Sequence, residues 1–216
     1  MKIPRAAATV MPSRSSAKPK PYDQAYFDRW YRDQARRIRT PADLARKVAC
    51  ILSVADYLCG APVRSVLDVG CGEGAWAPVL RRLRPRLRYV GVDASEYAVH
   101  RFGRTRNILQ GEIGALDQLE LEGPFDLVVC ADTLQYVPTQ ALDRGLYQLR
   151  GLMGGVAFLE AFTTDDEMTG DLSDWHHRSR DWYRRRFARV GLVPVGLHCY
   201  VGHELEDRLT ALERLD

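Results

Sequence analysis

The chain has no run near the roughly 18 to 20 uninterrupted apolar residues that a membrane-spanning helix needs. Its basic first residues are not followed by the apolar stretch of a secretory signal. Neither a membrane span nor export is expected, and the protein is read as cytoplasmic. Cysteine is sparse and scattered: Cys50, Cys59, Cys71, Cys130 and Cys199 are odd in number and show no CxxC spacing. They read as reduced thiols, so a disulfide frame and a zinc site are not expected. Lysine is also scarce, with 4 against 27 arginines. The arginines of 178–186 therefore carry little information as a cluster, and a solvated helix face is the simpler account. No internal repeat is present.

The 216 residues suit one α/β domain with additions, large enough to build its own core. Residues 1–40 hold ten Lys/Arg and three Asp, a net +7 that leaves −4 on the rest of a chain whose total is +3. Residues 1–20 have little to bury and read as a flexible basic tail. A basic arm also suits a polyanion or an anionic substrate. From Tyr22 the aromatics Tyr22, Tyr26, Phe27, Trp30 and Tyr31 recur at helical spacing, which predicts an amphipathic helix. Thr40-Pro41 gives the N-cap and first position of a second helix ending at Gly60.

After Pro62 short apolar strands alternate with helical stretches: strands at 65–69, 88–92, 107–110, 125–130, 155–161 and 192–200, helices at 74–83, 95–102, 140–153 and 179–190. This alternation predicts a Rossmann-like, doubly wound and mostly parallel sheet. The helical spacing of 204–215 predicts a closing C-terminal helix. The expected organisation is a tail (1–20), an N-terminal helical lid (21–60) and the α/β domain (61–216).

The first strand, Val66-Leu67-Asp68-Val69, runs into Gly70-Cys71-Gly72-Glu73-Gly74, and nineteen residues past Gly74 a second apolar strand ends in Asp93. Two parallel strands each ending in a carboxylate suit a nucleoside-like cofactor at the sheet rim. The spacing is G-x-G-x-G instead of the dinucleotide G-x-G-x-x-G. An acid two residues before the first glycine repels a pyrophosphate and favours a ligand with an ammonium and a sulfonium. The glycines remove the Cβ atoms that would block such a ligand; the alternative is a tight turn with no ligand.

This run resembles motif I of class I S-adenosylmethionine-dependent methyltransferases. The resemblance spans 65–137 and implies the cofactor S-adenosylmethionine, with S-adenosylhomocysteine as product. It implies that Asp68, Gly70, Cys71 and Gly72 cradle the methionine end and that Asp93 binds the ribose hydroxyls. Ala94, Glu112 and Ile113 fall where the family holds adenine, with Glu112 in place of the commoner Asp. The stretch from Phe125 to Val137 resembles the run after the fourth strand in small-molecule methyltransferases, with Tyr136 where histidine is frequent. It places Cys130, Ala131 and Gln135 beside the cofactor and Tyr136 toward the acceptor. No N/D-P-P-[YF] pattern is present, which counts against nucleobase or glutamine methylation.

The family implies strand order 3-2-1-4-5-6 here, and the chain departs from it at the end, where six strands are expected instead of a closing antiparallel hairpin. An N-terminal lid is common in the small-molecule branch. Tyr22, Tyr26, Trp30 and Arg39 are candidates to reach the cofactor, or these aromatics simply pack the extra helices. The 16-residue connection 163–178 is long enough to imply a role over the site. Its Trp175 and Arg178 are candidates for binding substrate. His177 or His176 is the candidate base, with Asp132 and Tyr136 as alternatives, and either histidine equally suits a helix cap or a solvent position.

The reading is a methyltransferase acting on O or N of a small molecule, as monomer or homodimer, with no nucleic acid, membrane or metal expected. The alternatives are an RNA or protein methyltransferase using the basic arm, or a non-catalytic S-adenosylmethionine-binding module. An NAD(P) oxidoreductase is disfavoured by the glycine spacing.

Overall fold

The computed structural model describes residues 21–167 and 171–213. The expected tail 1–20, part of the long connection (168–170) and the last three residues lie outside the described residues. The chain opens with helix α1 (Gln24–Phe27), where the Asp23 carboxylate accepts the Tyr26 N–H at 2.9 Å. A single π-helical turn, Asp28–Arg32, continues it. Helix α2 (Pro41–Cys59) starts on a reciprocal cap. The Thr40 hydroxyl accepts the Asp43 N–H at 3.1 Å, and the Asp43 carboxylate accepts the Thr40 N–H at 3.0 Å.

The sheet has seven strands: β1 (Ser65–Val69), β2 (Arg88–Asp93), β3 (Ile108–Gln110), β4 (Phe125–Ala131), β5 (Met153–Glu160), β6 (Leu192–Gly196) and β7 (Cys199–Gly202). Their order is β3-β2-β1-β4-β5-β7-β6. The first five pair in parallel, and β7 runs antiparallel to both β5 and β6. Helices α3 (Trp76–Leu83), α4 (Glu96–Arg106), α5 (Thr139–Leu152), α6 (Arg180–Arg189) and α7 (His203–Glu206) complete the fold.

Side chains alternate between the sheet's two faces. Val66, Leu127, Val129 and Phe158 pack under α2 and α3, while Leu67, Val69, Val128 and Leu159 pack under α5 and α6. The α2 helix is thus a core layer, with Val48 and Ala55 fully buried. The segment before it lies over the rim of the sheet, where Lys47 of α2 also reaches the end of β5. At the opposite end, Asp126 ties the starts of β1 and β4 together: one carboxylate oxygen accepts from the N–H groups of Arg64 and Ser65 and from the Ser65 hydroxyl, at 2.7 to 3.0 Å.

The expected six strands are corrected to seven. The apolar run 192–200 is not one strand but a hairpin, β6 and β7, joined by Leu197-His198 with both residues in the left-handed region (φ 51° and 59°). Two-residue hairpin turns of that shape normally use Asn-Gly, so the break has no sequence signal. The family's closing antiparallel hairpin is therefore present. The expected C-terminal helix is corrected too: α7 is four residues long, and a separate 3-10 turn, Ala211–Glu213, follows. The Glu213 carboxylate accepts the Thr210 N–H at 2.7 Å and starts that turn.

Left-handed backbone costs an L-residue roughly 1–2 kcal/mol. L197N/H198G should therefore raise unfolding stability by about 1 kcal/mol, read as a higher urea midpoint at unchanged slope. An unchanged or lower midpoint would mean that the Leu197 and His198 contacts outweigh the backbone strain.

Candidate functional site

The strand order reverses between β1 and β4, and ligands of open α/β sheets bind beyond the C-terminal strand ends at such a point. A cavity of about 440 Å³ lies there, and Asp68, Gly70, Cys71, Gly72, Asp93, Ala94, Glu112, Ile113, Ala131, Tyr22, Tyr26 and Tyr136 border it.

The glycine turn shapes this cavity. Gly70, Gly72 and Gly74 all have left-handed backbone, with φ of 71°, 55° and 67°. A Cβ on Gly70 would stand 2.4 Å from the Thr133 side chain, and one on Gly72 would stand 3.0 Å from the Phe27 ring. These positions therefore need glycine both for conformation and for space. Gly70 and Cys71 donate their N–H groups to the Val92 carbonyl, at 2.8 and 3.2 Å, fixing the turn over the end of β2.

Two carboxylates flank the turn. Asp68 is 2% exposed, and one of its oxygens accepts the hydroxyl of the fully enclosed Tyr89 at 2.8 Å. Burial pushes the Asp68 carboxyl up to about 7, against the Tyr89 hydrogen bond and the positive charge of Arg39, which pull it down. Asp93 accepts the Gly72 N–H at 2.6 Å and the Ser95 N–H at 2.9 Å. Burial raises its carboxyl as well, and those two backbone donors oppose the rise. Charged lining residues of the cavity are Asp68, Glu73, Asp93, Glu112 and Asp132 against Arg39 alone among the described residues. A cation is favoured in such a field and a pyrophosphate is not.

The N-terminal segment closes one side. Phe27 is buried against Gly72 and lies 5.8 Å from the rings of both Tyr31 and Tyr97. Arg32 grips the Glu73 carboxylate through both oxygens at 2.5 and 2.7 Å, and the Ser95 hydroxyl donates to the Tyr22 carbonyl at 2.5 Å. Tyr22 is pushed up to about 12, first by burial and then by Asp171 and Asp93.

Other expected site residues stand elsewhere. Cys130 is fully buried in the core under α5. Gln135 is also fully buried, behind the wall, and its amide donates to Asp132 Oδ1 at 2.6 Å. Trp30 borders a second, smaller chamber instead of the main cavity. Trp175, His176, His177 and Arg178 line neither space.

Arg178 is 6% exposed and is committed to backbone. It donates to the carbonyls of Leu134 and Val137, at 3.3 and 2.7 Å, and stacks over Trp182. The His176 N–H donates to the Gln135 carbonyl at 2.9 Å, and burial, then Arg178, lowers the pKa of its ring. His177 is exposed, its ring 4.3 Å from that of Trp175. This cluster buttresses the loop after β4, whose Tyr136 hydroxyl donates to the Asp171 carbonyl at 2.7 Å.

Tyr89 and Thr133 were not expected at the site. Tyr89 sits at a core-facing position of β2, where an aromatic reads as packing. The role of Thr133 depends on how closely the β1 and β4 turns approach, which spacing along the chain does not encode.

The methyltransferase-domain family model matches residues 28–211. An uncharacterized protein of Rickettsia prowazekii (strain Madrid E), RP028, is 28% identical over 102 residues, which is 44% of this chain and 41% of that protein. The match thus spans less than half of that relative's length. Among solved structures, CalS10, an amino pentose methyltransferase from Micromonospora echinaspora in complex with SAM, superposes with TM-score 0.60 at 17% identity, covering 86% of this chain and 98% of that one. DesVI of Streptomyces venezuelae gives 0.59 at 17% identity, over 74% and 91%. The magnesium protoporphyrin IX methyltransferase ChlM of Synechocystis PCC 6803, with bound SAH, gives 0.58 at 17% identity, over 84% and 96%. These likenesses match the fold, and the family pattern runs over most of the chain: the protein belongs to the methyltransferase-domain family, as a class I member.

Proposed function

We propose that the protein transfers the methyl group of S-adenosylmethionine to an oxygen or nitrogen of a small-molecule acceptor and releases S-adenosylhomocysteine. The observation that carries this is the acid-rich cavity around a turn of three left-handed glycines, with carboxylates at two adjacent strand ends. That donor set fits the cofactor: Asp68 suits its ammonium, Asp93 its ribose hydroxyls and Glu112 its adenine amino group. Ile113 and Ala94 suit the two faces of the ring, and Arg39 suits the carboxylate. When bound, S-adenosylmethionine supplies a methyl carbon made electrophilic by its sulfonium.

The protein's part is positioning and the exclusion of water. The Phe27 contact and the Arg32–Glu73 ion pair hold the N-terminal segment over the glycine turn. Tyr26 and Tyr136 border both the main cavity and the smaller chamber, where an acceptor would meet the cofactor. His176 and His177 border neither space, so neither is given the acceptor's proton. Two further proteins of similar fold, a sugar N-methyltransferase (KedS8) and an O-methyltransferase family protein, span both acceptor atoms proposed here.

Calorimetric titration tests the cofactor assignment: S-adenosylhomocysteine should bind and NAD should not, and the reverse would overturn the proposal. Asp93→Ala should weaken S-adenosylhomocysteine binding by about 1.5–3 kcal/mol, the scale of a lost charge-assisted hydrogen bond; unchanged affinity would remove the ribose role.

Binding should also depend on pH. A cationic ammonium binds ionised Asp68, so binding lowers the raised pKa of Asp68 and releases a proton. Affinity is then full above about 7 and falls as the carboxyl protonates below it. The dissociation constant should be about tenfold weaker at pH 6 than at pH 8. A flat profile, or tighter binding at pH 6, would exclude that contact.

A further inference from the structure

Beside the main cavity lies a smaller chamber of about 130 Å³. Tyr26, Tyr31, Arg39, Asp132 and Tyr136 border both spaces, so the two meet along a shared wall. Trp30 and Phe162 add two more aromatic rings to the chamber. Trp30 and Asp171 also border an open surface groove, so these two wall residues of the chamber lie next to solvent. The volume is that of about four liquid waters, enough for the reacting end of a small molecule.

Charge distinguishes what fits. The chamber's wall carries the carboxylates of Asp132, Glu160 and Asp171 against the cations of Arg39 and Lys47. Glu160 is neutralised locally, since Lys47 donates to both its oxygens at 2.6 and 2.8 Å. Asp132 has no such direct ion pair among the described residues, and the charges of Arg39 and Lys47 act on it only through space. Its Oδ1 accepts from the buried Gln135 amide, and its Oδ2 takes no hydrogen bond from the described residues.

The backbone at Asp132 is left-handed, φ 59°, and its N–H donates to the Glu160 carbonyl at 3.0 Å. Such a conformation is uncommon outside glycine and costs energy that the surroundings must offset; observed at a site, it motivates a functional hypothesis. Here it sets the carboxylate at the seam between the two spaces. Burial, the largest influence, raises the Asp132 carboxyl, so it accepts a proton more readily than an ordinary aspartate does.

We infer that this chamber is the acceptor subsite and that it takes a small protonated amine, with aromatic walls around the cation and Asp132 Oδ2 accepting its N–H. Aromatic faces attract ammonium groups. A neutral hydroxyl would leave the Asp132 charge offset only through space by Arg39 and Lys47. Proton transfer from the ammonium to Asp132 gives a neutral amine and a neutral carboxyl group, which frees the nitrogen lone pair. The inference rests on the reading of the main cavity as the S-adenosylmethionine site, and it narrows the acceptor atom to nitrogen.

The test is a binding measurement on the full chain, by calorimetry and Trp30 fluorescence, with benzylamine and its neutral isostere benzyl alcohol. Both are titrated with and without saturating S-adenosylhomocysteine. Benzylamine should bind at least about tenfold tighter than benzyl alcohol, the scale of a desolvated cation–π contact joined by a charged hydrogen bond. Asp132→Asn should remove that preference; asparagine tolerates left-handed backbone, so the turn is kept, and because Asp132 also lines the main cavity the readout is the ratio of benzylamine to benzyl alcohol affinity. Trp30→Ala, on the exposed side, should weaken benzylamine and spare the cofactor product. Equal affinities, no benzylamine binding, or a preference that survives in Asp132→Asn would each overturn the inference. Failure of S-adenosylhomocysteine to bind the wild-type chain sinks the cofactor reading instead, and the amine preference of the free protein is then judged by the same titrations.

Discussion

A carboxylate buried at the end of a strand without an ion pair is costly, and Asp68 is that group. Among the described residues it has one hydrogen bond, from Tyr89, and both residues are enclosed. The fold accommodates it by favouring its protonated form, with the carboxyl raised to about 7. Burying a cation beside it would offset the desolvation that a neutral ligand would leave in place. The same conflict recurs at Asp93, whose charge is stabilised among the described residues by two backbone N–H groups. The excess of carboxylates lining the cavity favours a positive ligand.

The wall that closes the cavity is lightly attached. Within α1 and the π-turn only Phe27 is buried, worth about 1.5–3 kcal/mol. The Arg32–Glu73 pair is partly exposed and contributes about 1 kcal/mol or less. The α2 helix, by contrast, has six buried side chains on the sheet and a reciprocal cap. The N-terminal region therefore divides into a rigid layer and a weakly held cover, and segments with few buried contacts open at the low end of a protein's stability range. The cover rests on Gly72, the same turn that borders the cavity.

Much of this was legible in the chain because local chemistry decided it. Thr40-Pro41 and Gly60 bracket a helix by capping alone. The short apolar strands at 65–69 and 125–130 emerge within a residue of their expected ends. Asp68, the glycines and Asp93 meet because parallel strands in register bring their C-terminal ends to one edge. What was not legible depended on tertiary contacts. Leu197-His198 gives no turn signal, since the tight pairing of β6 and β7 holds two ordinary residues in left-handed backbone. Arg178 has the chemistry of an anion binder, yet it is used on the carbonyls of Leu134 and Val137, whose proximity no spacing reveals. Lys47 and Glu160 are 113 positions apart and look unrelated until α2 lies across β5.

The turns after β1 and β4 are interlocked, which ties the two halves of the site together. The Thr133 hydroxyl donates to the Gly70 carbonyl at 3.2 Å and to the Ala131 carbonyl at 3.1 Å, and its side chain fills the space that a Cβ at position 70 would need. One residue earlier, Asp132 is pinned by the Glu160 carbonyl and the Gln135 amide. The position of the acidic group at the seam is therefore coupled, through two adjacent residues, to the glycine turn of the main cavity. Close-packed turns of this kind shift as units. Geometry between the two spaces is thus set by the backbone of residues 131–135, and the far wall of the smaller chamber can vary in chemistry without moving the glycine cradle.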